Sequence, residues 1–476
     1  MYDLNEWVSA HYDEFVRDLK CLVSYPSISI FQDGPYSMGE GCAKCLDCAL
    51  EMGNHMGLET ENDDYYCGSM ILKGTGQGEI ALVGHLDVVP PGDGWNYVPF
   101  SPVEIDGWVI GRGACDNKGS VMAAIYALRY IKEQGITLPF DVRLLMGCNE
   151  EDGMRDMEYF LKKHKAPDFS LVIDGVMNLC YGEKGMLCAE LETGFQDSNI
   201  EDIKGGSAFN SVPDSASVIL TGIEESLLLC EEARLRKEDL RWENLGMGRY
   251  RFDAKGMAGH AAFPDQGSVN AIQKLASGLV KTNLPNTEAK RILGFLAEAF
   301  ADVYGEGLDI QSNDEIFGKT THIGGMIRVA EGKIMQNVNV RYAMCTDSER
   351  LMERMRKRCQ KHGFEAVGYS DSKPFYVDLQ SPFVAGILKV RDEFLVANGY
   401  DPEEIKPFTM GGGTHARKLP NAVSIGPGIM NQGKSRFGSA HAADEAVCID
   451  NLLEGIRFFV HLLLGIQKNE LWKLIV

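Results

Sequence analysis

Between Glu79 and Gly185, short apolar runs alternate with helical patterns, and this alternation restricts the possible folds more than any other feature of the chain. Three of the runs have the length and composition of buried strands: Ile80–Val83, Val142–Met146 and Leu171–Ile173. Apolar residues at helical spacing mark two intervening segments, Ser120–Gln134 and Met154–His164. Strands that alternate with helices are typical of βαβ units, in which neighbouring strands run parallel. The sequence therefore predicts an α/β fold with a mainly parallel sheet.

The same sheet is predicted to continue near the other end of the chain, where Ala422–Ile425 has the composition of a strand and Asn451–Leu464 the spacing of a helix. Between these blocks the pattern changes to half-exposed strands, a hairpin that turns at Glu331-Gly332, and further helices: Leu187–Glu192, Tyr250–Ala254, Thr320–Arg328 with Lys333–Tyr342, and the segments after Ser268 and Ser348. We predict an α/β domain of residues 1–186 and 378–476, interrupted by an inserted α+β domain of residues 187–377.

The charge balance limits the kinds of partner. The chain has 47 Lys and Arg residues against 68 Asp and Glu residues, a formal net charge of −21. This excess repels phosphate backbones and anionic lipids, and no basic block compensates for it. We therefore expect no nucleic acid and no membrane as partners, whereas a small zwitterionic or cationic ligand is compatible with the charge.

The amino-terminal segment and the cysteines favour a cytoplasmic protein. The segment is acidic where a secretory signal has a basic start, and the longest apolar stretch, 458–466, is far shorter than the about 20 residues of a spanning helix. The 13 cysteines are scattered and odd in number, which favours reduced thiols over a disulfide framework. CAKCLDC, residues 42–48, has helical spacing of apolar residues, so we interpret its thiols as core packing rather than a metal cluster.

Side chains that bind metals stand at the predicted ends of strands and loops, where open parallel sheets bind their ligands. They are His85 and Asp87 in GHLDVVP, Asp116 in GRGACDNKGS, Glu150 and Glu151 in GCNEEDG, Asp174 after the third strand, and His441 in SAHAADE. A single His or Asp at such a position is more often a capping or hydrogen-bonding residue. Several carboxylates at one edge would repel one another unless cations paired with them. The mixed His and carboxylate set suits zinc and tolerates manganese or cobalt.

The motifs of the chain extend from about residue 80 to residue 445. They are GHLDVVPPGDGW at 84–95, GRGACDNKGS at 111–120, NEEDG at 149–153, Asp174-Gly175, GMAGHAAFP with Gly267 and Asn270 downstream, and GGGTHAR with SAHAADE. Together they resemble the dinuclear zinc metallopeptidase family of carboxypeptidase G, aminoacylase and carnosinase, and especially its peptidase V-like bacterial dipeptidases. The resemblance implies that the α/β domain is the catalytic, metal-binding domain and that the inserted domain is a substrate-binding lid.

The resemblance also implies a site for two divalent ions, with Zn²⁺ expected and Mn²⁺ or Co²⁺ as alternatives. Asp116 would bridge the two ions. His85 and Asp174 would complete one ligand set, and Glu151 and His441 would complete the other.

Two neighbouring residues receive roles from the same resemblance. Asp87 would hold the His85 ring in its tautomer, and Glu150 would be the general base that activates a metal-bridged water. A cis peptide bond is expected between Asp116 and Asn117, although many relatives carry a second acid where this chain has Asn117.

Further candidates for substrate contact are implied by motifs nearer the end of the chain. His260 of GMAGH would stabilise the oxyanion, with Asn210 as a helper. By itself, the His260 motif would indicate a surface histidine in a glycine-rich turn. Arg341 and Arg417 could bind a substrate carboxylate, and each could equally be a partner in a structural ion pair.

The resemblance therefore predicts a cytoplasmic, metal-dependent dipeptidase that acts on small peptides with a free amino terminus, with Xaa-His dipeptides among the candidates. A monomer is expected, because the long insertion could supply the surface that dimeric relatives take from a neighbouring subunit. An N-acyl amino acid deacylase or carbamoyl hydrolase is an alternative with the same chemistry. A non-catalytic metal-binding scaffold is the alternative from another class.

Overall fold

The computed structural model describes residues 3–76, 78–261, 264, 267–430 and 436–475. The chain divides into two compact units. The first unit is Met1–Tyr181, Tyr376–Phe408 and Gly413–Val476, and the second is Gly182–Phe375 with Thr409–Gly412. The sequence predicted divisions after residues 186 and 377 and left 409–412 in the α/β domain. The segment 409–412 belongs to the second unit, where the backbone nitrogen of Lys184 donates to the carbonyl of Met410 at 2.9 Å.

The described part of the chain up to Glu183 contains five helices and eight strands. The helices are Leu4–Ala10 (α1), Tyr12–Val23 (α2), Glu40–His55 (α3), Gly119–Glu133 (α4) and Arg155–Lys163 (α5). The strands are Glu59–Asp63 (β1), Cys67–Leu72 (β2), Glu79–His85 (β3), Val103–Ile105 (β4), Trp108–Ile110 (β5), Asp141–Gly147 (β6), Phe169–Val172 (β7) and Cys180–Glu183 (β8). A short π-helix, Ala114–Lys118, precedes α4.

The second unit contains thirteen strands and four helices among its described residues. The strands are Gly185–Gly194 (β9), Ile200–Gly205 (β10), Ser211–Val212 (β11), Ser215–Leu220 (β12), Leu240–Gly246 (β13), Arg249–Lys255 (β14), Gly259–His260 (β15), Asn313–Asp314 (β16), Gly318–Lys319 (β17), Thr321–Ile323 (β18), Ile327–Ala330 (β19), Lys333–Tyr342 (β20) and Glu365–Ser372 (β21). The helices are Glu225–Lys237 (α6), Ala271–Val280 (α7), Thr287–Ala299 (α8) and Ser348–Lys361 (α9).

The remaining elements lie between Phe375 and the end of the described chain. They are Phe375–Tyr376 (β22), Pro382–Ala397 (α10), Phe408–Met410 (β23), Ala422–Ser424 (β24), Ala446–Cys448 (β25) and Ile449–Lys468 (α11), with short 3₁₀ turns at His415–Arg417 and Leu471–Leu474. Among the described residues, no helix is both long enough and apolar enough to cross a membrane.

The framework of the first unit is a sheet whose strands follow the order β1-β2-β6-β3-β7-β24. β6, β3, β7 and β24 run parallel, whereas β1 and β2 are antiparallel strands at one edge. The parallel strands are almost wholly buried, as expected for a sheet covered by helices, and α4 and α11 contribute to the same apolar core. Cys42 and Cys45 of α3 lie in this core. The predicted α/β class with a mainly parallel sheet is confirmed.

The second unit contains an antiparallel sheet of order β13-β14-β12-β10-β19-β20-β9-β21. Side chains alternate along β14, where Tyr250, Phe252 and Ala254 are buried in a core shared with α7 and α8. The predicted hairpin turns at Glu331-Gly332, where both residues have positive φ angles of 52° and 73°. Its first arm is not one strand over Thr320–Arg328, as predicted, because β18 and β19 are separated at residues 324–326. A Cβ atom at Gly324 would lie 2.6 Å from the Phe300 ring, so the backbone passes close to that ring between the two strands.

Candidate metal centre

The candidate site of the first unit begins where β3, β6 and β7 end. β3 pairs in parallel with β6 so that His85, the last residue of β3, lies opposite Gly147, the last residue of β6. β3 also pairs in parallel with β7, which ends two residues before Asp174. Because the carboxyl ends of parallel strands meet at one edge, the loops that follow them share that edge.

His85 is fully buried, and two aspartates lie next to its outer ring nitrogen. Its Nε2 is 3.0 Å from Asp116 Oδ1 and 3.8 Å from Asp174 Oδ2. The donor atoms of these three residues all lie within 4.8 Å of one another, which is a spacing that could hold a metal ion.

Asp116 belongs to a second such group with Glu151 and His441. His441 Nε2 lies 3.1 Å from Asp116 Oδ2 and 3.0 Å from Glu151 Oε1. The two oxygens of Asp116 therefore face different groups, Oδ1 toward His85 and Oδ2 toward His441. A carboxylate in this arrangement can join two metal positions.

The pKa shifts within the two ligand groups, which together comprise five side chains, are those expected of a site that binds cations. Burial, followed by repulsion from Asp116, raises the pKa of Asp174 to about 7. Hydrogen bonds to Asp116 and Glu151 raise the pKa of His441 to about 10. Both shifts mean that positive charge is favoured here and that uncompensated carboxylates are disfavoured. The mixed nitrogen and oxygen donors suit Zn²⁺, Mn²⁺ or Co²⁺.

Glu150 lies beside this set and is itself buried, with 9% of its surface exposed. Burial, together with repulsion from Asp174 and Glu151, raises its pKa well above the usual range for a glutamate. Its Oε1 has no hydrogen-bond partner within the described part of the chain. A buried carboxylate with a raised pKa and an open acceptor is suited to proton transfer.

Asp87 contacts His85 as expected. Its carboxylate also binds the backbone of the loop after β6, which the motif did not indicate. The closest atom to His85 Nδ1 is the backbone carbonyl oxygen of Asp87 at 2.9 Å, with the carboxylate Oδ1 at 3.4 Å. The two carboxylate oxygens accept hydrogen bonds from the backbone nitrogens of Glu150 at 3.1 Å and Glu151 at 3.0 Å. Asp87 therefore connects the loop after β3 with the loop after β6.

The loop that carries Asp116 has a cis peptide bond between Asp116 and Asn117, as expected. Asn117 Nδ2 donates to Asp174 Oδ1 at 3.1 Å, and its Oδ1 lies 3.4 Å from the backbone nitrogen of His85. The side chain of Asn117 therefore contacts Asp174 and the backbone of His85, two members of the first ligand group.

The other predicted residues, the candidates for substrate contact, are divided between the two units. Asn210, His260 and Arg341 belong to the second unit. The backbone of His260 pairs with Ser211, and the nitrogen of Ala261 donates to the carbonyl of Asn210 at 3.0 Å; the side chain of His260 lies outside the described part of the chain.

The two arginines occupy different units. Arg341 is buried, and its Nε and Nη1 donate to Asn339 Oδ1 at 2.9 Å and to the Gly411 carbonyl at 3.0 Å. Arg417 ends the short turn after the glycine run, and its guanidinium lies so close to Gly413 that a side chain there would be 2.8 Å from Nε.

Two buried pairs near the site were not predicted. His415 of GGGTHAR lies with its Nε2 3.1 Å from Asp156 Oδ2, and this carboxylate oxygen also accepts from the backbone nitrogen of Asn149, next to Glu150. Arg112 and Glu445 form an ion pair at 2.6 Å inside two of the motifs. Both residues of the latter pair belong to the quoted motifs, but their contact depends on the fold.

Comparison with known proteins agrees with this geometry. A sequence profile described as "Peptidase family M20/M25/M40" matches residues 81–465. A Bacillus subtilis protein named "Putative dipeptidase YtjP" is 32% identical over 440 residues, covering 90% of this chain and 92% of its own. A similarly named Staphylococcus aureus protein, SAR1836, is 28% identical over 437 residues, covering 88% of this chain and 91% of its own.

Solved structures share the fold at low sequence identity. Human carnosine dipeptidase 1 matches with a TM-score of 0.59 and 16% identity, covering 98% of this chain and 99% of its own. The dipeptidase Dug1p of Saccharomyces cerevisiae matches with a TM-score of 0.58 and 15% identity, covering 98% of each chain. The family that the motifs resemble is confirmed by the profile match.

Proposed function

The chain belongs to peptidase family M20/M25/M40 and is a metal-dependent peptidase, and from this premise we propose that it hydrolyses dipeptides with a free amino terminus. The observation that carries the proposal is the position of Asp116, whose two oxygens face two different groups of potential metal ligands. The relatives that match 90% and 88% of this chain have dipeptidase names, which supports a dipeptide as substrate.

In this proposal, each ligand group would hold one divalent ion, and Asp116 would belong to both groups. The first group is His85, Asp116 and Asp174, and the second is Asp116, Glu151 and His441. When bound, two such ions supply Lewis acidity toward the scissile carbonyl and the attacking water. Zn²⁺ is the proposed metal because the donors combine imidazole nitrogen with carboxylate oxygen.

Glu150 is the proposed general base and, later in the reaction, the general acid. Its raised pKa makes its carboxylate more basic than that of an exposed glutamate. It takes a proton from the attacking water and delivers it to the leaving amino group. The backbone N–H groups of Glu150 and Glu151 are fixed by Asp87, so the base and its neighbouring ligand are oriented together.

Four residues outside the two ligand groups complete the proposal as candidates for contact with the substrate. His260 and Asn210, whose backbones are adjacent through the pairing of β11 with β15, would donate hydrogen bonds to the oxyanion. Arg417 and Arg341 are the candidates for the substrate carboxylate, although the bonds of Arg341 to Asn339 and Gly411 also serve the second unit itself.

We also propose that Xaa-His dipeptides are among the substrates, and that the protein is a cytoplasmic monomer. The net charge of −21 supports the view that neither nucleic acid nor a membrane surface is a partner. A measured mass of twice 52.6 kDa with a shared active site would contradict the monomer.

A substrate panel tests the proposed activity. Purified protein loaded with Zn²⁺ or Mn²⁺ is incubated with dipeptides, the same dipeptides acetylated at the amino terminus, N-acetyl amino acids and N-carbamoyl amino acids. We expect turnover of the free dipeptides and little turnover after acetylation. Turnover of only the acyl or carbamoyl compounds would assign the alternative activity of the same family and refute the dipeptidase proposal.

A further inference from the structure

A fully buried ion pair joins two loops that carry candidate metal ligands. Arg112 Nη1 lies 2.6 Å from Glu445 Oε2, and the two side chains are 1% and 0% exposed. Arg112 precedes Asp116 by four residues, and Glu445 follows His441 by four residues. The pair therefore connects the loop of Asp116 with the loop of His441, although these loops come from distant parts of the chain.

Glu445 holds the Asp116 loop through its backbone. Glu445 Oε1 accepts hydrogen bonds from the nitrogens of Cys115 at 2.9 Å and Asp116 at 3.0 Å. Oε2 accepts from the nitrogen of Gly113 at 3.1 Å in addition to Arg112. Both oxygens therefore face donors only, and a carboxylate is the side chain that can accept from all of them.

Arg112 holds the His441 loop in return. Its Nη2 donates to the backbone carbonyls of His441 at 3.3 Å and Pro91 at 3.2 Å. Its guanidinium also lies over the Trp95 ring, with the carbon 5.2 Å from the ring centre. The forked guanidinium thus reaches Glu445 with one arm and the His441 backbone with the other, which the single ammonium group of a lysine cannot reproduce.

The His441 loop has a backbone that needs such support. His441 and Asp444 both have left-handed φ angles, 65° and 56°. Non-glycine residues adopt this conformation at an energetic cost and keep it when surrounding contacts determine it. Asp444 is held from outside, since its Oδ1 accepts from the nitrogens of Asn96 at 2.8 Å and Tyr97 at 3.2 Å. The next residue, Glu445, is held by Arg112 and by the backbone nitrogens of the Asp116 loop.

We infer that Glu445 and Arg112 are positioning residues that set the distance between Asp116 and His441, and thereby the metal affinity of the group formed by Asp116, Glu151 and His441. The inference rests on the proposed metal centre and assigns a role to two residues that belong to neither ligand group. The 3.1 Å separation of His441 Nε2 and Asp116 Oδ2 is the distance at stake.

The test compares E445Q and R112K with wild-type protein. A glutamine has the shape of Glu445, but its NH₂ group must face donors on one side, so one of the two sets of hydrogen bonds is lost. The proteins are stripped of metal and titrated with Zn²⁺ against a chromophoric chelator. We expect wild-type protein to bind two ions, and both variants to bind one ion about 10–100-fold more weakly, the range observed when a residue that orients a ligand is lost.

E79Q is the matched control. Glu79 begins β3, at the opposite end of that strand from His85, and binds Arg143 through both oxygens at 3.0 and 3.1 Å. The same Glu-to-Gln change therefore breaks another Arg–Glu pair of the first unit away from the ligand loops. We expect E79Q to lower thermal stability while both Zn²⁺ affinities stay within about threefold of wild type.

Cobalt provides a second readout that a purely structural role would not change. The visible spectrum of the Co²⁺-loaded protein reports coordination geometry, and we expect it to change in E445Q and R112K but not in E79Q. Unchanged Zn²⁺ affinities and Co²⁺ spectra in folded E445Q and R112K would overturn the inference. Wild-type protein that binds fewer than two ions would instead refute the proposed metal centre itself. If E445Q fails to fold, R112K decides the question by the same two measurements.

Discussion

The carboxylate Oδ1 of Asp87 accepts a hydrogen bond from the backbone nitrogen of Glu150 at 3.1 Å. Its other oxygen accepts from the next nitrogen, that of Glu151, at 3.0 Å. The residue that was expected only to orient His85 thus also orients the proposed base and one proposed metal ligand. A single aspartate couples the ends of β3 and β6.

D87N is expected to lower kcat/KM and metal affinity by about 10–100-fold. An asparagine offers one acceptor oxygen where Asp87 offers two, so one of the two backbone N–H groups loses its partner. Steady-state kinetics and a Zn²⁺ titration measure both effects. D93N is the control, because Asp93 is exposed in the same loop region. Equal behaviour of D87N and D93N would show that the Asp87 contacts are dispensable.

E150Q is expected to lower kcat by about 10²–10⁴-fold, the contribution of a positioned acid–base group, while two metal ions remain bound. Glutamine keeps the shape of the side chain but cannot carry the proton. E158Q serves as the control, since Glu158 lies half exposed on α5 and binds Lys418. Metal content, measured by atomic spectroscopy, distinguishes loss of the proton-transfer group from loss of bound metal as the cause of lower activity. An E150Q protein with wild-type kcat would exclude Glu150 as the base.

Removal of metal is expected to abolish peptidase activity and to lower the unfolding temperature. A ligand at about 100 times its Kd stabilises the folded state by about 2.7 kcal/mol. The partly buried carboxylates of Asp116 and Asp174 would also lose their counter-charge when the metal leaves. Calorimetry with and without a chelator measures the difference.

D116N provides the specific comparison for that experiment. Asp116 belongs to both ligand groups, so its loss should remove most of the stabilisation by added Zn²⁺. D106N is the control, because Asp106 is an exposed turn residue whose partner is Arg436. A D116N protein stabilised by Zn²⁺ as strongly as wild type would contradict its proposed bridging position.

H260A is expected to lower kcat by about 10²–10³-fold without changing the number of bound metal ions, because it removes a donor to the oxyanion and no metal ligand. H55A, which alters an exposed histidine of the first unit, is the control. The ratio of kcat to metal content is the quantity to compare. Loss of bound metal in H260A, or an unchanged kcat, would refute the oxyanion role.

Local patterns were sufficient to predict much of the framework. Val142–Met146 is apolar except for Arg143, and burial on both faces of a parallel strand favours such a run, so β6 was predicted within one residue at each end. The arm Thr320–Arg328 was predicted as one strand, but it is interrupted at Gly324, where the backbone comes close to Phe300. A close approach of distant segments leaves no periodicity in the sequence.

The sequence by itself determined the α/β class, the family and the set of residues to examine, because strand ends and motifs are local properties of the chain. Only the tertiary structure decided that the two oxygens of Asp116 face different groups, and that Asp87 and Glu445 bind the backbone of other loops. Backbone N–H groups are the same at every residue except proline, so a carboxylate that binds them leaves no partner to be recognised in the sequence.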